Sequence, residues 1–261
     1  SKGLLLLILA YSGPTLFAQT GPGGVGKTDG STTLQLWLRA DTGLASPGSG
    51  GVYNKWLDQS GAGNDVSSSS GPVHVSKAQN GLPGLKFSGS NYLQAPASAS
   101  FYPSKATIFL VRRSAAQGTD IALCGENTGF NNEFMVLNNV GYMHRSSGNF
   151  VTRSHQCESK IPNDSAQILC IKYGENGTSV DIYVNGLKST QNSQTTGSSL
   201  TYGDVNKLIT IGQRNSFSSS EYLEGMLFEV VGYNRILSDS ERDSVEKYLS
   251  QKYKVALDGC D

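Results

Sequence analysis

ILCIKYGENGTSVDIYVNG (Ile168–Gly186) is the stretch that decides the fold class. Two runs rich in β-branched and aromatic residues, Ile168–Tyr173 and Val180–Val184, flank Gly174–Thr178, a connection of the hairpin type. The second run ends on Asn185-Gly186, and both residue types tolerate the positive φ that a tight turn demands. A pair of strands with a tight turn after the second is therefore expected here. Outward from this segment the same grammar repeats. Ala106–Val111, Phe134–Leu137, Leu208–Ile211 and Met226–Val231 are short apolar runs broken by Gly, Asn and Ser. Leu34–Ala40 (LQLWLRA) alternates apolar with other residues, as a half-buried strand does. Leu85–Phe87 and Tyr92-Leu93 add shorter pieces. No strand–helix–strand rhythm appears, which argues against a parallel sheet.

One helix breaks the pattern near the end. Ser238 followed by Glu241 three residues later forms a capping-box signature. Val245, Tyr248, Leu249 and Tyr253 then recur at helical spacing, with charged residues on the other side. The expectation is an all-β, two-sheet antiparallel β-sandwich over residues 34–255 with one short C-terminal amphipathic helix on its edge or face, and a tail at 256–261.

Composition narrows the function classes. The 261 residues carry 21 basic and 21 acidic side chains, and only 16% of residues are charged. A balanced charge offers no broad field for nucleic acid or an anionic membrane. The 31 glycines fit many turns rather than many helices. At the N-terminus, Lys2 precedes the apolar run Leu4–Ala10, a Ser12-Gly13-Pro14 break and then Leu16-Phe17-Ala18-Gln19. That is the layout of a removable export signal over residues 1–19, with a cut after Ala18. The apolar run is shorter than the ~20 residues a membrane span needs. A secreted or cell-surface location follows as an expectation, with residues 20–33 as a flexible Gly-rich lead-in. In an oxidising compartment, Cys124, Cys157, Cys170 and Cys260 are disulfide candidates with three possible connectivities. Cys170, inside an apolar strand, also reads as a simple buried thiol.

Four constellations bear on chemistry. Gly21–Thr28 (GPGGVGKT) matches the phosphate-binding string, but that loop needs a strand before it and a helix after it. Neither flank supplies them, so nucleotide binding is not expected. Second, Asp58, Asn64 and Asp65 lie among glycines in WLDQSGAGNDV (Trp56–Val66). Such oxygen ligands can wrap Ca²⁺, and they can equally cap their own turn. Third, no string places two carboxylates on one strand face as glycoside hydrolysis needs. Glu224 and Glu229 differ by an odd number and would face opposite ways on a regular strand. No catalytic residue is assigned, and the reading leans away from an enzyme. Fourth, Tyr92, Tyr102, Tyr142, Tyr202 and Tyr222 stand near Gly/Ser/Asn-rich breaks. Exposed there, they could stack on the apolar faces of sugars; core packing is the competing role.

Several segments together resemble a known family. LQLWLRADTGL (34–44), WLDQSGAGNDV (56–66) and NGLPGLKFSGSNYL (80–93) are similar to the opening of LamG-like jelly-roll domains of exported bacterial proteins, Bacteroidetes-type surface proteins among them. VDIYVNGLKS (180–189), KLITIGQR (207–214) and LEGMLFEVVGYNRILSDSERDSVEKYLSQKY (223–253) are similar to its closing half, in the same order. The resemblance implies a concanavalin A-like jelly roll used as a secreted or surface module for carbohydrate or cell-surface protein, in some members with Ca²⁺. A glycan-active enzyme on the same fold and a structural spacer in a larger protein are the alternatives it leaves open.

Overall fold

The computed structural model describes residues 20–31, 33–45, 47–48, 51–95, 105–114, 119–124, 133–137, 142–146, 149–155, 165–174, 180–188, 191–196, 208–213 and 222–258, those between 119 and 155 or 191 and 196, with 114 and 208, as backbone alone. In chain order the strands are β1 (Leu34–Arg39), β2 (Lys55–Trp56), β3 (Val66–Ser67), β4 (Val73–Gln79), β5 (Leu82–Ser88), β6 (Leu93–Gln94), β7 (Ala106–Ser114), β8 (Thr119–Cys124) and β9 (Glu133–Leu137). They continue as β10 (Tyr142–Ser146), β11 (Asn149–His155), β12 (Gln167–Tyr173), β13 (Val180–Val184), β14 (Leu187–Lys188), β15 (Gln191–Thr196), β16 (Leu208–Ile211) and β17 (Glu224–Tyr233), before the helix α1 (Asp239–Tyr253).

Two antiparallel sheets result, as the sequence predicts. One runs β14-β13-β12-β7-β17-β5-β4, with β1 also on β17, and the other runs β15-β11-β10-β9-β8-β16-β6-β3-β2. Both Asn-Gly turns among the described residues are left-handed as the chemistry requires: Asn185 and Gly186 at φ 47° and 84°, Asn80 and Gly81 at φ 48° and 73°. The second pair joins β4 to β5 with a two-residue loop, and it was legible in the same way as the first.

The apolar side chains divide into two cores, one on each face of the β7–β12–β17 sheet. Leu36, Trp56, Phe87, Ile108, Leu169, Ile211 and Leu227 fill the space between the sheets. Leu34, Phe109, Ile168, Tyr233, Val245, Leu249 and Tyr253 fill the space between that sheet and α1. The helix therefore lies on the outer face of one sheet and adds a third layer. This explains the near-continuous apolar runs of β7, β12 and β17: a strand buried on both faces has no polar side to alternate with.

β17 departs from regular alternation at one place. Its register against β7 slips between Leu227 and Glu229, leaving Phe228 as the extra residue of a bulge. Met226 and Phe228 belong to the helix-side core, and Leu227 and Val230 to the inter-sheet core. The slip turns Glu229 to the helix side beside Phe228, which overturns the expectation that Glu224 and Glu229 face opposite ways. Glu229 is 0% exposed. Its Oε1 accepts from Trp37 Nε1 at 2.6 Å and Tyr248 OH at 3.1 Å, and its Oε2 from Lys252 Nζ at 2.6 Å and Tyr253 OH at 2.9 Å. Lys252 also reaches Asp41 at 3.1 Å, and Asp41 is held by Arg39 at 3.0 Å.

The helix ends are built as the sequence predicts at the front and by a hairpin at the back. Ser238 and Glu241 make the full capping box. Arg235 grips Glu241 as well, which with the cap holds that carboxyl down at about 2. At the far end the side-chain amides of Gln79 and Asn80 donate to the carbonyls of Tyr253 and Lys252, both at 2.8 Å. These are carbonyls a helix otherwise leaves without partners.

Residues 20–31, expected as a lead-in, are folded onto this layer. Pro22–Gly24 makes one 3₁₀ turn, Tyr233 OH donates to Val25 O at 3.1 Å, and a Cβ on Gly23 (φ 63°) would meet Ser244 O of the helix at 2.3 Å. After Lys27-Thr28 the chain runs on into β1 rather than into a helix. Among the disulfide candidates, Cys170 is a free, fully buried thiol under α1, and this corrects its candidacy. Its strand neighbours are Phe109 and Tyr183, so no cysteine stands beside it in the sheet. Burial pushes its thiol well above the usual range. Cys157 and Cys260 lie outside the described residues, and Cys124 is described by its backbone only. Among the described residues no helix is long and apolar enough to cross a membrane.

The same layer contains a carboxyl that burial works against. The side chain of Glu246 is 2% exposed; its Oε2 accepts from Arg242 Nε at 3.2 Å, and its Oε1 has no partner among the described residues. Arg242 itself lies over the Tyr183 ring at 3.9 Å. Desolvation raises the Glu246 pKa from 4.5 to about 7, against the pull of Arg242 and Lys172 and with the push of Asp243. A raised folded-state pKa means that stability is full below the unfolded value and is lost as pH rises toward 7, by about 3 kcal/mol at most. In urea titrations, Glu246→Gln is expected to match the native chain within about 1 kcal/mol at pH 5 and to exceed it by about 3 kcal/mol at pH 8. A gap that does not change with pH would contradict this.

Candidate functional site

Of the five tyrosines singled out from sequence, the fold brings two together. Tyr92 and Tyr222 are 130 residues apart in the chain, yet their ring centroids lie 6.4 Å apart with planes tilted 60°. Both are half-buried, and neither is part of the inter-sheet core or of the helix-side core. Tyr142 stands in β10, in register opposite Arg153, and Tyr102 and Tyr202 lie outside the described residues.

Backbone hydrogen bonds fix the chain beside each ring. Tyr92 N donates to Ser70 O at 3.2 Å, and the next residue, Leu93, pairs with Ile211 of β16. On the other side, Leu223 N donates to Gly212 O and Leu223 O accepts from Gly89 N, both at 2.9 Å. Gly212 has φ 80°, and a Cβ there would meet the Phe87 ring at 2.4 Å, so this crossing point admits only glycine. Asn91 fastens the two loops: its Oδ1 accepts from Ser88 N at 3.1 Å, and its Nδ2 donates to Gly71 O at 3.1 Å. The tyrosines thus stand on loops at one end of the sandwich, tied to β5, β6, β16 and β17.

A second aromatic pair hangs on the same Ser70–Pro72 turn. Tyr53 N donates to Pro72 O at 3.0 Å, and the Tyr53 ring lies 5.0 Å from that of His74. Tyr53 packs against the inter-sheet core, however, and so has a structural use that Tyr92 and Tyr222 lack.

The Asp58–Asp65 segment has a different geometry. Asp58 Oδ1 accepts from Trp37 N at 2.8 Å and Ser60 N at 2.9 Å, and Oδ2 accepts from Ser60 Oγ at 2.7 Å and Asn64 N at 2.9 Å. Asp65 accepts from Asp58 N at 2.8 Å and pairs with Lys55 at 2.8 Å, while Asn64 donates to Gln35 O at 2.6 Å. The carboxylates organise their own turn and fix it to β1. A cation there would have to displace four donors from Asp58. Among the described residues no three His, Cys, Asp or Glu side chains gather as metal ligands.

The comparisons with known proteins follow this geometry. A family model described as Laminin_G_3, Concanavalin A-like lectin/glucanases superfamily, matches residues 87–241, more than half of the chain and inclusive of both Tyr92 and Tyr222. No curated protein matches the sequence. Among solved structures, domain 4 of AbnA, a GH43 extracellular arabinanase from Geobacillus stearothermophilus, solved in complex with arabinotriose, is similar at TM-score 0.52 and 15% identity, over 83% of this chain and 98% of that one. Trypanosoma rangeli sialidase is similar at TM-score 0.53 and 14% identity, over 91% of this chain but 36% of the sialidase. The binding domain of Paraclostridial Mosquitocidal Protein 1 is similar at TM-score 0.50 and 17% identity, over 84% of this chain and 52% of that one. At these identities the likeness is one of fold.

Because the Asp58 carboxylate is saturated by protein donors, Asp58→Ala is expected to lower stability by about 3 kcal/mol, leaving the backbone amides of Trp37, Ser60 and Asn64 short of an acceptor. Thermal unfolding of the native chain is expected to be unmoved by Ca²⁺ or EDTA. A rise in midpoint with Ca²⁺ that Asp58→Ala abolishes would contradict this assignment.

Proposed function

We propose that this chain, which belongs to the concanavalin A-like lectin/glucanases superfamily, works as a carbohydrate-binding module of a secreted or cell-surface protein. The observation that carries the reading is the Tyr92–Tyr222 pair: two half-buried rings that serve neither core, held by backbone at the loop end of a rigid sandwich. Loops on a fixed scaffold are where such folds place recognition. A sugar offers an apolar C–H face to a ring and hydroxyls to nearby polar groups, and the Ser88 and Asn91 side chains, bonded to each other at 2.5 Å, belong to the same loop as Tyr92.

The carboxylates favour binding over hydrolysis. Glycoside hydrolysis uses one carboxylic acid to protonate the leaving group and a second to act as nucleophile or base. The described carboxylates with the most elaborate surroundings are all committed to the fold. Glu229 holds the helix, Asp58 holds its turn, and Glu246 is buried on α1 itself against Arg242. The export signal expected over residues 1–19 supports an extracellular location, as does the extracellular arabinanase among the fold neighbours.

Glycan binding is expected to survive Tyr92→Phe, which keeps the ring. It should fall about tenfold on Tyr92→Ala or Tyr222→Ala, the loss of one stacking contact of about 1–1.5 kcal/mol. The unfolding midpoint should drop by no more than about 4 °C. Isothermal titration against soluble polysaccharides reads the first, and a thermal scan the second. Undiminished affinity in both alanine variants would remove the tyrosines from the site.

A further inference from the structure

We propose that α1 is a pH-sensitive cover over Cys170: it docks on β12 and β13 with the Glu246 side chain as a neutral acid, and ionisation of that acid loosens the helix there and opens the buried thiol to solvent. Two observations carry the proposal. One is the set of donors around Glu246, compared with that around Glu229; the other is the balance of charges beside it.

Both carboxyls are buried in the helix-side layer, but only one is furnished with donors. Glu229 has four on its two oxygens, the Lys252 ammonium among them. Glu246 has Arg242 Nε at 3.2 Å on Oε2, and its Oε1 is unmet among the described residues. A carboxylate that leaves water needs several donors to replace it, whereas a neutral acid needs few.

The neighbouring charges already answer one another. On α1, Arg242 pairs with Asp239 at 3.2 Å and with Asp243, and its guanidinium lies 3.9 Å from the centre of the Tyr183 ring on β13. On β12, Lys172 reaches the same Asp239 at 3.1 Å. Between β13 and β14, Asp181 pairs with Lys188 at 2.7 Å. Three cations meet three carboxylates, so an ionised Glu246 is a fourth anion among them. Cys170 stands on β12 in register with Tyr183, and among charged groups Glu246 weighs most on its thiol. Burial raises the Glu246 carboxyl to about 7 against the pull of Arg242. Because the docked acid is weaker than the free one, docking is full in acid and is lost as pH rises toward 7.

The opening stays local because the helix is fastened unequally. Tyr248, Lys252 and Tyr253 converge on Glu229, and Gln79 and Asn80 hold the last carbonyls. The ion pair across to β12 is weaker: the Asp239 side chain is 74% exposed, and such pairs contribute little.

The test is alkylation of Cys170 in the full native chain between pH 5 and pH 8, read from the mass of the peptide that carries it. Reagent is kept low enough that the rate stays proportional to it. Each rate is divided by that of the urea-unfolded chain at the same pH, so that thiolate formation cancels. The ratio is expected to rise roughly fiftyfold from pH 5 to pH 8 in the native chain, and less than about threefold in Glu246→Gln. At pH 8 it should respond only weakly to low urea, since a local opening exposes little surface. A ratio that does not change with pH, or the same rise in Glu246→Gln, would overturn the proposal. So would a urea dependence as steep as that of global unfolding, because the thiol would then be reached only when the whole sheet comes apart.

Discussion

A carboxylate with no exposure to water is tolerated only where its neighbours replace that water, and Glu229 shows how completely this chain is arranged to do so. Four donors, from one strand and one helix, converge on its two oxygens. Three of them come from α1, so the helix can dock in one rotation only. Removing one partner of such a pair leaves a buried charge behind and typically costs about 3–5 kcal/mol. The arrangement also needs the bulge at Phe228. Without that extra residue Glu229 would point into the apolar inter-sheet core, away from the helix. One irregularity in one strand therefore decides where the helix sits, which face of the sheet it covers and, through Gln79 and Asn80 at its C-terminus, how the β4–β5 hairpin is held.

That dependence reaches the loop end of the molecule. β17 runs from Glu224, beside the tyrosine pair, to Tyr233, beneath the N-terminal 3₁₀ turn. Its first half pairs with β5, and its second half pairs with β1. The strand that anchors the helix thus also delivers Leu223 and Tyr222 to their place against Gly89 and Gly212. The rigid part of the fold is built on this strand, and the groups assigned to recognition are kept out of it.

Much of the fold was legible in the sequence because it rests on local chemistry. The Asn185-Gly186 turn, the runs in β7, β12, β13 and β17, and the Ser238–Glu241 capping box each follow from residues near one another in the chain. The three-layer arrangement was half legible. Continuous apolar strands hint at burial on both faces, but only the packing shows that α1 covers the second. The bulge at Phe228 was not legible, since nothing in FEVV distinguishes a slipped strand from a regular one. The Tyr92–Tyr222 pair was legible as candidates and not as a pair: their meeting depends on β6 and β17 reaching the same end of the sandwich by different routes. Asp58 was legible as a turn organiser or a cation ligand, and the donors that separate these roles include Trp37 N, 21 residues away.

The central claim is that the two tilted tyrosines form the surface on which a glycan lies. The most direct measurement is a crystal structure of the chain grown with the oligosaccharide fragment of whichever polysaccharide it retains. The account predicts sugar density at the Ser70–Asn91–Tyr222 end, with a C–H face about 4 Å from a tyrosine ring. Density centred elsewhere on the sandwich, with Tyr92 and Tyr222 bare, would contradict it.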